Sequence, residues 1–91
     1  MLKINMKYRK GTLIVEINGY LTRFTSFKLR DYLVPIILKH EIKFLVYNTD
    51  KLKGIDKYGL SVIKEGIRAI KGNSGHIYYS KNSKISKLNE G

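Results

Sequence analysis

The chain has no cysteine and no tryptophan, a single proline, and only seven acidic residues. Without cysteine there is no disulfide framework, no zinc–thiolate site and no thiol nucleophile. Two histidines and seven scattered carboxylates offer no cluster of three or four metal ligands. No run of apolar residues approaches the roughly 20 needed to cross a bilayer; the longest, Leu33 to Leu38, is far shorter. Residues 1–10 carry Lys3, Lys7, Arg9 and Lys10 and do not read as a signal peptide. A cytoplasmic protein is expected.

Basic residues are abundant: eighteen lysines and arginines give a formal net charge of +11. Such a surplus favours polyanions or acidic proteins as partners. The cations are mostly lysines spread along the whole chain. There is no Arg-rich run and no base-stacking aromatic series interleaved with it. A solvated basic surface is therefore expected, and nucleic acid is not an expected partner. The apolar share of 43% over 91 residues suits one domain spanning 1–91, with 81–91 as a short, weakly structured tail.

Leu2, Ile4, Met6 and Tyr8 alternate with Lys3, Asn5 and Lys7, the period of a half-buried strand. Arg9-Lys10-Gly11 is a turn, and Leu13 to Ile17 a second strand ended by Asn18-Gly19. The short spacing predicts a hairpin. Thr25 or Ser26 can cap a helix whose apolar face is Phe27, Leu29, Leu33, Ile36 and Ile37. Pro35 predicts a kink or two short helices, with helical character ending near His40. Lys43 to Asn48 is a continuous apolar strand of the central, buried kind. Thr49 to Lys57 reads as a polar loop, with Asp56 placed to cap a second helix. Leu60, Ile63, Ile67 and Ile70 form the face of that helix, and Gly72 ends it. His76 to Tyr79 is a further strand, and Ile85 and Leu88 suggest a weak helical turn. The expected class is α/β: a mostly parallel or mixed four-stranded sheet with helices, in the order β-β-α-β-α-β-(short α).

No enzyme signature emerges. His40 stands at a helix end, His76 opens a strand, paired carboxylates are missing, and no phosphate-cradling glycine loop is present. No cofactor is called for. The turn Gly54-Ile55-Asp56-Lys57-Tyr58-Gly59 is the most informative segment, because it joins the buried strand to a helix N-terminus. Ligands and partners of open α/β sheets engage where strands end and helices begin.

The sequence resembles the STAS domain, the family of anti-sigma factor antagonists and of the cytoplasmic domains of sulfate transporters. The resemblance rests on Gly11 to Leu21, Phe24 to Leu33, Phe44 to Asn48 and Leu52 to Leu60, and covers roughly residues 3–80. Its most specific part is the Asp-x-x-Gly-Leu turn from Asp56 to Leu60. The resemblance implies a regulatory, non-enzymatic protein-interaction module of bacteria. In antagonist members this turn binds an anti-sigma factor that is also a kinase, which phosphorylates a serine two residues after the aspartate. The alternative implied is a STAS-like accessory subunit of a membrane transport system.

The chain departs from the antagonist pattern at that serine. Tyr58 occupies the position, Lys57 precedes it, and Ser61 is the nearest hydroxyl. Thr22 replaces an aspartate that antagonist members often carry near the turn. The expected partner-binding turn therefore comprises Thr22, Asn48, Asp56, Lys57, Tyr58, Gly59 and Ser61, without a serine phosphorylation switch. Asn48 and Asp56 are expected to tie the loop down, and Lys51, Lys53 and Lys57 to make it basic. Family members usually continue through a fuller last helix, so a homodimer or a partner covering the exposed face is expected.

Overall fold

A computed structural model describes residues 2–82 and 84–87. Strands β1 (Leu2–Arg9) and β2 (Thr12–Leu21) form the antiparallel hairpin. Lys10 and Gly11 make its two-residue turn, both with positive φ, the backbone twist that suits a tight hairpin. Helix α1 (Ser26–Lys39) leads to β3 (Phe44–Asn48), which runs parallel to the first half of β2. A short strand β4 (Leu52–Ile55) then pairs in parallel with Gly19 to Leu21, taking over the β2 edge that β3 leaves after Glu16. Helix α2 (Lys57–Gly72) crosses to β5 (His76–Lys81), parallel to β3, and β6 (Lys84–Lys87) closes antiparallel on β5.

The result is a mixed sheet of six strands in the order β1-β2-β3-β5-β6, with β4 beside β2. Its centre is parallel and both margins are antiparallel. The α/β class stands, with two more strands than the sequence pattern suggests. β4 lies inside the stretch read as a polar loop, and its pairing with β2 past a bulge at Gly19/Tyr20 accounts for it. The segment 84–87 is strand in place of a helical turn: Ser80 opposite Ile85 and Tyr78 opposite Lys87 satisfy the free edge of β5. Leu88 lies outside the described residues.

The core lies between the sheet and the two helices. Leu13, Val15 and Ile17 of β2, with Leu45 and Tyr47 of β3, face Leu29, Leu33 and Ile37 of α1 and Val62, Ile67 and Ile70 of α2. The helices meet over Tyr47. Its hydroxyl donates to the Ile63 carbonyl at 3.2 Å, and burial raises its pKa far above the ordinary value. At the other end Asn73 Nδ2 donates to the carbonyls of Ile37 and Ile42, fastening the C-terminus of α2 to that of α1. α1 is one element running through Pro35. Its fully buried Leu29, Leu33 and Ile37 hold it to the core across the missing hydrogen bond. Phe27 does not join that face and is exposed. Among the described residues no helix is long and apolar enough to cross a membrane.

Candidate functional site

The turn singled out in the sequence is organised by one carboxylate. Asp56 takes an extended conformation between β4 and α2. Its Oδ1 accepts from the Tyr58 amide at 2.9 Å and the Gly59 amide at 3.0 Å. This is the N-cap arrangement expected from the sequence, satisfying donors that the first helical turn cannot pair internally. Oδ2 does something the sequence did not reveal: it accepts from the Arg23 amide at 2.9 Å. The Asp56 amide in turn donates to the Leu21 carbonyl at 3.2 Å. One residue thus fastens the β2–α1 loop to the start of α2. The Gly59 amide, opposed by partial desolvation and helped by the Arg23 and Tyr58 amides, holds the Asp56 carboxyl below the ordinary carboxylate value.

Gly59 is required by close approach. A Cβ there would collide with the Leu21 carbonyl oxygen and come within 2.9 Å of Ile55 Cγ1. At Gly59 the first turn of α2 approaches the backbone of β2 directly.

The β2–α1 loop is braced from within. The Thr22 amide donates to Thr25 Oγ1 at 3.0 Å, and the Thr25 hydroxyl donates to the Tyr20 carbonyl at 2.7 Å. Thr22 Oγ1 accepts from the Phe24 amide at 3.3 Å. Thr25 stands at the N-cap position of α1, but its side chain makes no capping bond there because it is spent on the loop. This rigid loop presents Arg23 and Phe24. The Arg23 guanidinium lies 5.1 Å from the Phe24 ring centre and 5.9 Å from that of Tyr58, and Lys57 Nζ lies 5.4 Å from the Tyr58 ring. Phe24 is 74% exposed and Tyr58 46%. The outcome is an aromatic pair bridged by a cation and standing in solvent.

The structure brings together Thr22, Asp56, Lys57, Tyr58 and Gly59, with Leu60 exposed on the first turn of α2 and Ser61 exposed one turn in. Asn48 ends β3, beside the loop that leads to β4. Its Oδ1 accepts from the Asp50 amide at 3.0 Å, an Asx turn that holds residues 48–50 and makes no bond to Asp56. Nothing in the local sequence pattern of Arg23 and Phe24 tells that Asp56 reaches across to the Arg23 amide. The Asp56 carboxylate, saturated by amides, is a fastening and not a free base. Among the described residues no group of His, Cys, Asp or Glu could hold a metal.

Residues 3–84 match the sequence profile of the STAS domain. The fold resembles that of the anti-sigma factor antagonist SpoIIAA in its unphosphorylated form, at a TM-score of 0.73 and 14% identity, covering 87% of this chain and 71% of that one. SpoIIAA is a cell fate determinant of Bacillus. It also resembles tm1081 of Thermotoga maritima, a candidate anti-sigma factor antagonist, at a TM-score of 0.76 and 16% identity, covering 84% of this chain and 65% of that one. An anti-sigma factor antagonist STAS domain from Rhodobacter sphaeroides matches at 0.67 with 9% identity, covering 86% and 84% of the two chains. With the profile spanning nearly all of the sequence and the fold in agreement, the chain belongs to the STAS domain family.

Proposed function

We propose that this domain is a regulatory, non-enzymatic interaction module of the anti-sigma factor antagonist kind, docking a protein partner through the turn at Asp56. The observation that carries the reading is the fastening of Arg23 and α2 to one carboxylate, which holds Phe24 and Tyr58 exposed in a fixed relation. Rigid aromatic side chains presented in this way lose little entropy on binding, and such residues dominate interface energetics. Arg23 and Lys57 beside them favour an acidic partner surface. Docking is constitutive: position 58 offers no serine, and Ser61 lies a turn into the helix.

A pull-down from the native cytosol tests this, comparing wild type with Tyr58→Ser, Tyr58→Asp and Phe24→Asp. The same partner should be retained by wild type and by Tyr58→Ser. It should be lost with both aspartates, which place a negative charge against the acidic surface. Partner binding unaffected by Tyr58→Asp rules the turn out as the interface. Phosphate found on Tyr58 or Ser61, coupled to loss of the partner, rules out constitutive docking. Copurification with a transport permease or ATPase would point to the transporter-subunit role.

A further inference from the structure

The sheet face opposite the helices is uncovered among the described residues, and it gathers side chains that are remote in sequence. Strand side chains alternate between faces, so the partners of a buried register lie on one side and their neighbours on the other. With Leu45 and Ile77 turned to the core, Phe44 and His76 face outward as a directly opposed pair. Their rings stack at 6.0 Å between centres and 27° between planes. The next outward row crosses the whole sheet: Lys7 opposite Ile14, Ile14 opposite Val46, Val46 opposite Tyr78, Tyr78 opposite Lys87. A cation thus stands at each margin, about 20 Å apart at the usual strand spacing, with apolar and aromatic side chains between. Arg9 ends the row of Phe44 and His76. Glu16, the carboxylate on this face of the described strands, accepts a hydrogen bond from Asn5 Nδ2 at 3.2 Å.

We propose that this face binds single-stranded nucleic acid. Bases stack on the Phe44–His76 pair and on Tyr78, and Lys7, Arg9 and Lys87 meet the phosphates. An open sheet face with the exposed Phe44 and His76 and the half-buried Tyr78 between basic margins can read unstacked bases and their backbone together. A duplex keeps its base faces hidden and would leave the rings unused. An acidic protein would meet the same cations, and competition with polyglutamate separates that outcome from a strand of bases. A second copy would bring like charge against like. This surface lies on strands, apart from Arg23 and Tyr58, and the proposal does not depend on the docking role of the Asp56 turn.

Fluorescence anisotropy of a labelled 12-nucleotide oligo(U) strand with the full chain, over a series of salt concentrations, decides the matter. Binding should saturate, with log K falling linearly in log salt at a slope of about −2 for three phosphate contacts. Phe44→Leu with Tyr78→Leu should weaken binding about tenfold or more at an unchanged slope. Lys7→Glu with Lys87→Glu should weaken it and flatten the slope, while Tyr58→Asp should leave it within about twofold. Circular dichroism melts check that each variant is folded. If the leucine pair does not fold, the lysine pair and a 12-base-pair duplex carry the test. Overturning results are leucine variants that bind as wild type, equal affinity for the duplex, or displacement of the strand by polyglutamate as readily as by unlabelled oligo(U). The last would mark the face as a site for an acidic protein.

Discussion

The two helices are joined to the same sheet in different ways. α2 buries Val62, Ile67 and Ile70 and is pinned besides at close-approach points: Asp56 caps it, Gly59 lets it touch the Leu21 carbonyl, and Gly66 makes room for the Tyr47 hydroxyl. α1 has no side-chain cap, carries Pro35 in its interior, and is held by the buried Leu29, Leu33 and Ile37. A helix held by side chains can adjust when one of them changes. A helix held by backbone contact cannot, and it transmits a fixed geometry to whatever it carries. Tyr58 stands on the rigid one.

The largest effect should come from Gly59→Ala. The added methyl meets backbone, which cannot rotate away, so strand and helix must separate at the end that bears the candidate site. A loss of about 3 kcal/mol by urea denaturation is expected, at the upper end of overpacking costs. A loss under about 0.5 kcal/mol would erase the contrast between the helices, since that is the range of neutral surface changes. Gly66→Ala follows, at about 2 kcal/mol. Its methyl collides with the Tyr47 hydroxyl and displaces the bond to Ile63. In a Tyr47→Phe background the nearest obstacle is gone, leaving Leu33 Cδ2 at 3.1 Å, and the same substitution should cost at least about 1 kcal/mol less, a coupling measurable by a double-mutant cycle.

Pro35→Ala probes the other helix and carries the opposite sign. Alanine restores an N–H to the interior of α1 and removes the ring. Part of the gain is returned through the freer unfolded chain. A net stabilisation of about 1–2 kcal/mol is expected from these terms. Destabilisation would show that α1 depends on the proline for its path, and is no more adjustable than α2.

The same difference explains what could be read in advance. The hairpin, both helix spans and the Asp56 cap follow from patterns within a few residues. β4 was hidden, because Leu52-Lys53-Gly54-Ile55 has no strand pattern of its own and is defined by pairing with Gly19 to Leu21. Residues 84–87 are a strand for the same reason, since the spacing of Ile85 and Leu88 suggests a helical turn and only pairing with β5 makes a strand. Helical spacing places Phe27 near the core stripe, yet it lies on the exposed side at the first turn. In the candidate site, Asp56, Tyr58 and Gly59 were legible as local chemistry. Arg23 and Phe24 were not, since they enter through a hydrogen bond spanning 33 residues. The aromatic row of the open face was equally invisible, because Phe44 and His76 meet only across strands.

The smallest effect expected is the dependence of stability on pH through Asp56. The Gly59, Arg23 and Tyr58 amides favour its ionised form, so the folded-state value lies below the ordinary 3.8. A lowered value means that the unfolded chain takes up the proton first as pH falls. The contribution is therefore complete above the ordinary value and is lost as pH drops from about 4 through the folded-state value. Asp56→Asn keeps the side-chain oxygen that caps Tyr58 and Gly59 but cannot titrate. The difference in stability between wild type and Asp56→Asn should be constant from pH 7 to about pH 5 and shrink below pH 4. Asp56→Ala, which removes the cap and the anchor of Arg23 together, should be less stable than Asp56→Asn at every pH. Parallel acid melts of wild type and Asp56→Asn would mean that the carboxylate gains nothing from its amides. The rigidity assigned to the start of α2 would then rest on Gly59 alone.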